Sequence, residues 1–585
     1  MYIQRNKVKS KTGKEYRSVL LCSRYRADGK VKTRTEANLS KLPDHIVLGI
    51  ENMLRSEKET AVSLKDITVS RCIDCGYVHV LLHLLGELRI DEALEKVLPL
   101  EEALLIKAMI IGKIITGGSK LCIFNWLKRE SAVTAELPGI DMTGYRVDDL
   151  YKALGQISKH QPQIEKKWFR YHRGSQRRIY LYDITGSYLE GDRNELAAYG
   201  YSRDGKRGKK QICVGLLTAE DGFPLRIQAF EGNTPDSATV AEQILALKKD
   251  FGVEQIVFVG DRGMQIMYNI ENDPALSEEN IGFITGLTHT QINTLISRGH
   301  IKLDLFKRDL AEVTVDSMRY ILSVNPDLEA RELSYLDNRR IRFEALLENI
   351  RKSHEKRCNR NRENICKQQA APGKHKHLKT ALTLKDTDNY KLRVMLALMS
   401  CGMEKYYTLE NIDNDSFCVV FNQEEFDKSR SLCGKYVVCT NVPAEDMAAE
   451  QVRGQYKNLQ KVEHAFRDLK SDNISIRPVF HRKELQTKGH VLLCMFAYAI
   501  IKEMENRLYP FLKTTSLSQK RQLSFNDLTA ELNNIKICEL KIGNGVTFIQ
   551  RPDLNPLQQE ILDALNIDPE IMTKQLWKKS KRQTC

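Results

Sequence analysis

Two aspartates stand where apolar runs stop. Asp183 follows RRIYLY and Asp261 follows QIVFVG, so each is read as closing a β-strand and presenting a carboxylate at a strand end. If those strands are neighbours in one sheet, the two acids meet at its edge, where they repel unless cations lie between them. Two Mg2+ ions about 3.5–4 Å apart would both neutralise them and activate phosphodiester chemistry. Such a site calls for a third acid, and YKNLQKVEHAFRDLKS supplies Glu463. At about 100° per residue, Leu459, Val462, Phe466 and Leu469 form an apolar stripe, and Tyr456, Glu463, Arg467 and Lys470 fall on the adjoining one. A carboxylate beside a buried stripe can reach a sheet edge, whereas Asp468 points away from Glu463 and is the poorer third ligand.

Cations suited to phosphate surround these acids. Arg467 and Lys470 share the Glu463 stripe and are read as free to touch DNA. Arg203, Lys206, Arg207, Lys209 and Lys210 crowd a glycine-containing loop between the first two strands of this region, where cations and backbone N–H groups can hold a phosphate. The run from Arg351 to Arg362 is a solvated helix face or a further contact.

The elements that must position these groups form an α/β plan. Three strands (RRIYLYDIT, QICVGLLTA, PLRIQAF) precede the helical DSATVAEQILALKKDF, the strand QIVFVGD, another helix and the strand IGFITGL. That is the order of a ribonuclease-H-like core. Six segments follow from the periodicity: 1–60, a β-rich basic module with an Asp28-Gly29 hairpin turn; 70–170, helical, probing DNA ends through a helix-turn-helix around Gly117-Gly118; 176–305, the first part of the core; 306–445, a mixed α+β insertion; 446–510, the last part of the core, with one helix over 446–471 carrying Glu463; and 511–585, a C-terminal segment.

Composition narrows the partners. In 585 residues, 90 Lys and Arg outnumber 76 Asp and Glu, a formal charge of +14 that favours a polyanion. The longest apolar stretches, Ala103 to Ile115 and Val491 to Ile501, fall short of the roughly 18–20 residues of a membrane span. The basic N-terminus has no apolar core after it, so no secretory signal is read. Fourteen cysteines scattered through such a chain suggest reduced thiols. Cys72, Cys75, His79 and His83 are spaced too closely for the usual zinc pairs and are read as packing.

The runs YDITGSYLEG, GYSRDGKRGKKQICVGLL, EGNTPD, VGDRGM and YKNLQKVEHAFRDLKS, in this order, resemble DDE-type insertion-sequence transposases. They are most similar to the branch with a Tyr-Arg-Glu-Lys helix signature and a large insertion in the core. The resemblance covers about 176 to 500. It implies a ribonuclease-H-like catalytic domain with Asp183, Asp261 and Glu463 as ligands of two Mg2+ ions, for which Mn2+ substitutes. It also implies double-stranded DNA as partner (terminal inverted repeats and target), an active homodimer, and a prokaryotic, cytoplasmic, nucleoid-associated protein without a membrane partner. Tyr456, Glu463 and Lys470 match the signature, which makes Tyr456 a DNA-binding residue. Leu459 takes the signature's Arg position, leaving Arg453, Lys457 or Lys461 to substitute. Trp126, Trp168 and Trp577 lie outside the insertion, where relatives stack a flipped base on a Trp. The rival readings are a transposase-derived DNA-binding protein without activity, and a phosphatase using Asp183 as nucleophile, which lacks the acid such enzymes need at Thr185.

Overall fold

Alternating apolar and polar residues set the N-terminal stretch into an antiparallel meander of β1 (Tyr2–Lys9), β2 (Glu15–Ala27) and β3 (Lys30–Asn38), followed by the helix Asp44–Arg55. The computed structural model describes residues 1–9, 15–27, 29–55, 67–129, 142–172, 179–191, 193–202, 205–206, 208–273, 276, 281–371, 384–411, 417–471, 474–477, 479–514, 523–542, 546–550 and 553–568. They fall into two units, 1–80 with 508–568 in one and 81–129 with 142–507 in the other.

In the first unit, β4 (Ile67–Asp74) pairs antiparallel with the strand Lys536–Ile542, which pairs with Val546–Gln550. Residues 70–74 are therefore strand, although their sequence reads as the start of a helical stretch. Non-local pairing with a segment more than 400 residues away overrides the local pattern. Cys75 Sγ donates to the Ile535 carbonyl oxygen at 3.4 Å, and Cys72 faces Cys538 across the ladder.

The second unit holds the helices Leu100–Thr116 and Lys120–Lys128, joined by Gly117 in the left-handed region and by Ser119, whose side chain accepts from the Cys122 N–H. The first of these is buried almost all round from Ala103 to Ile114, so its apolar sequence serves packing. The helices Val147–Lys159 and Gln161–His172 follow.

Next comes an eight-stranded sheet. Its strands are β5 (Ile179–Tyr188), β6 (Gln211–Ala219), β7 (Pro224–Glu231), β8 (Ile256–Gly260), β9 (Ile281–Gly286), β10 (Leu310–Val315), β11 (Met318–Val324) and, after β12 (Tyr407–Asn411) and β13 (Phe417–Phe421), β14 (Lys435–Thr440). The order is β10-β11-β14-β9-β8-β5-β6-β7, with β5, β8 and β9 parallel and every other neighbour antiparallel. Tyr180, Tyr182, Phe258 and Phe283 pack with Val240, Ile244 and Ile266 into the main core. Three strands from the stretch 306–445 thus lie in this sheet. The remainder of that stretch, the 45-residue helix Pro326–Ala370, the helix Leu384–Cys401, the β12–β13 hairpin and the helix Gln423–Ser431, closes its own core around Phe343, Val394, Tyr407 and Phe426.

Candidate active site

Parallel pairing of β5 with β8 aligns Tyr182 with Gly260, so the next step along each strand brings Asp183 beside Asp261. Neighbouring strands lie about 4.8 Å apart. Asp261 ends β8 as its sequence suggests, and its Oδ1 accepts from the Arg262 N–H at 2.8 Å, capping the turn that follows. Asp183 does not end its strand. It sits in the middle of β5, opposite Leu216 of β6, because β5 stays paired with β6 as far as Tyr188 after β8 has stopped. Asp183 is therefore half-buried on a ledge of sheet and Asp261 is exposed at its rim.

The third acid rides on two helices rather than one. Ala449–Lys457 and Leu459–Lys470 meet at Asn458, whose N–H lies 3.0 Å from the Gly454 carbonyl oxygen and 3.1 Å from that of Gln455. Tightening from i→i−4 towards i→i−3 bonding breaks the single helix read over 446–471. Beyond the break, Leu459, Val462, Ala465, Phe466 and Leu469 are buried, and the helix lies against β5 and β6.

One polar bond ties each of these helices to the sheet, near its C-terminal end. The Tyr456 hydroxyl donates to Asp261 Oδ1 at 3.2 Å, and Lys470 Nζ donates to Thr185 Oγ1 at 2.7 Å. Thr185 shares a strand face with Asp183, two residues away. Lys470 is thus engaged within the protein rather than left free. Glu463 is exposed and lies seven residues from each bonded side chain, sharing its helix with Lys470 and separated from Tyr456 by the break. Tyr456 reaches Asp261 only because residue 286 is glycine: a Cβ there would come within 2.3 Å of the phenol oxygen. Burial, then the Asp261 charge and the hydrogen bond to it, push the Tyr456 phenol well above its usual range, with Glu463 adding to the shift and Arg262 opposing it. The phenol remains a proton donor.

The signature substitutes are mostly occupied. Leu459 is buried; Arg453 Nη1 donates to the Asp309 carbonyl oxygen at 3.3 Å, and Lys461 Nζ donates to that of Glu220 at 2.9 Å. Lys457 and Arg467 are exposed. Of the basic loop, Arg203 and Arg207 lie outside the described residues. Lys209 pairs with Glu190 at 2.6 Å, Lys206 and Lys209 stand 5.9 and 5.4 Å from the Tyr188 ring, and Lys210 lies 5.8 Å from that of Tyr199.

Among the described residues no three His, Cys, Asp or Glu side chains are gathered closely enough to hold a metal ion. The register brings Asp183 and Asp261 together, while Glu463 stands on the adjoining helix outside such a cluster. In kind the donors suit a hard divalent cation: three carboxylates, with no thiol or imidazole on β5 or β8, although His464 follows Glu463 on its helix. Sequence reading gave Tyr456 a DNA contact and missed its bond to Asp261; only the parallel register and Gly286 reveal it.

Two carboxylates on neighbouring strands and a glutamate on the helix packed against them make up the candidate site. Residues 174–500, more than half of the chain, match the transposase DDE domain, and the chain belongs to that family. Residues 3–63 match the N-terminal domain of IS1634 family transposases, which makes it an insertion-sequence transposase. No curated protein matches the chain in sequence. Among solved structures, the cryo-EM structure of the piggyBac transposase synaptic complex with hairpin DNA is similar at a TM-score of 0.34 and 5% identity, over 82% of this chain and 72% of that one. No helix among the described residues is long and apolar enough to cross a membrane.

Proposed function

We propose that this transposase cleaves DNA at the ends of its element and joins them to target DNA, using Asp183, Asp261 and Glu463 as ligands of two Mg2+ ions. One observation carries the reading: the residues seven before and seven after Glu463 are bonded to Asp261 and to Thr185, the strand neighbour of Asp183, which supports Glu463 as the third ligand. The order β7-β6-β5-β8-β9, with three antiparallel strands followed by two parallel to the first, supports a ribonuclease-H-like core. On this reading the core spans 176–305 and 446–510, its sheet extended by β10, β11 and β14, the rest of 306–445 is an insertion, and the N-terminal modules read the inverted repeats of a paired-end homodimer.

Bound divalent ions supply charge neutralisation at the attacked phosphate and activation of its nucleophile. The chain's own groups do the rest. Asp183 and Asp261 fix two ligand positions, one within β5 and one at the end of β8. Tyr456 orients Asp261 through its hydroxyl, leaving the second carboxylate oxygen for a cation. Lys470 anchors the helix beside Asp183 through Thr185. Arg467, with the lysines near Tyr188 and the arginines of the same loop, holds the DNA backbone.

A plasmid carrying the gene with its flanking DNA, incubated with the protein and Mg2+ or Mn2+, tests this. Wild type is expected to release the element. Asp183→Asn, Asp261→Asn and Glu463→Gln are each expected to abolish cleavage while DNA binding persists, and cleavage by any of them removes that residue from the triad. A wild type that binds the ends but never cuts is instead a DNA-binding descendant.

A further inference from the structure

Away from the carboxylates, a cavity of about 730 Å³ opens between the Gly117–Lys120 turn and the segment Ser475–His490. Lys113, Lys120, Arg477, Arg482 and Lys483 line it together with two imidazoles, against one carboxylate, Asp148. Lys120 and Lys113 are each only 3% exposed, and among the described residues no carboxylate pairs with either. Lys113 Nζ donates to the carbonyl oxygens of Gly117 and Gly118 at 2.9 and 3.0 Å, and Lys120 Nζ lies 3.2 Å from His490 Nδ1.

A buried ammonium without a counter-charge is costly. Burial pushes Lys120 down to about 7, with the Lys113 charge adding to the fall; burial, then Lys120, pushes His481 down to about 3 and His490 well below its usual range. Neutral imidazoles beside two lysines leave a basic hollow whose missing partner is an anion. The turn adds the N-terminus of the helix Lys120–Lys128, the positive end of its dipole. Val479 bridges to Leu189, just past the end of β5, and the Arg477 guanidinium stands 6.0 Å from the Tyr188 ring, so the cavity continues the side of the sheet on which β5 leaves the aspartates. Phe480, 64% exposed, stands at the rim as a surface for a base.

We propose that this cavity is a second DNA-contact site that seats one backbone phosphate of a strand running on from the catalytic carboxylates. The proposal rests on the transposase reading but not on the identity of the triad. Its test is the binding of the full-length chain to a short mixed-sequence duplex across a salt titration. Lys120→Met and Arg477→Gln are each expected to weaken binding about three- to tenfold and to flatten the log K against log salt slope by about one, the loss of one phosphate contact. Lys120→Met is also expected to melt no lower than wild type, because an apolar chain replaces a lone buried charge. The rim variant Arg477→Gln reads the same slope without touching the interior. Unchanged slopes in both folded variants overturn the proposal. So does stabilisation of wild type, but not of Lys120→Met, by inorganic phosphate while duplex binding is unaltered, since the hollow would then serve a free anion. Cleavage by Asp183→Asn would sink the catalytic reading and leave these slopes intact, so the two failures are distinguishable.

Discussion

The rim of β5 and β8 and the hollow behind Gly117 are electrostatic opposites built by opposite means. At the rim, acids sit on adjacent strands with Asp261 and Glu463 in water, where mutual repulsion is screened and costs little until substrate arrives. In the hollow, lysines are sealed among helices, and their unfavourable burial is present from the moment of folding. An acidic site can thus wait exposed for small cations, whereas a basic one gains grip on a phosphate by excluding water first.

The largest break in that contrast comes at the rim. Asp261→Asn is expected to lower cleavage by on the order of a thousandfold or more, since it removes charge stabilisation made at the reacting phosphate. Measured duplex affinity should stay level or rise slightly, opposite in sign to the change from Lys120→Met. Tyr456→Phe is next. Loss of its bond to a charged acceptor is expected to cost about tenfold in cleavage with binding unchanged, as a single-turnover assay would show. An unaltered rate would mean that Tyr456 does not orient Asp261.

Glu165 sharpens the comparison at smaller scale, because it is an acid sealed as the lysines are. Burial pushes it up to about 7 despite Arg226 at 3.7 Å and bonds from Gln161 and the Ile227 N–H. Its folded form binds the proton more tightly than the unfolded chain, so its effect on stability is absent below the ordinary carboxylate range and turns unfavourable as pH rises through 7. Glu165→Gln should therefore raise the melting midpoint by a few degrees at pH 8 and leave it nearly unchanged at pH 4, with the gain appearing between those limits. An equal gain at both pH values would show that packing, not ionisation, governs the site.

What was legible at the rim was local. QIVFVGD spells a strand and its final acid, and Leu459, Val462, Phe466 and Leu469 spell the buried stripe that orients Glu463. Asp183 was misplaced to a strand end because IYLYDIT carries no mark of where the neighbour β8 would stop. β10, β11 and β14 read as an insertion because strands 120 residues apart disclose their pairing only in three dimensions, as Arg319 does opposite Thr440. The hollow left no trace at all: Lys120 and His490 lie 370 residues apart, and a lysine in an apolar helix looks like any solvated one.

Gly286 shows how finely the rim is set. The approach of the Tyr456 ring to β9 there depends on a missing methyl group. A single alanine at that point would act as a wedge, pushing the Tyr456 phenol off Asp261 without altering one charge in the protein.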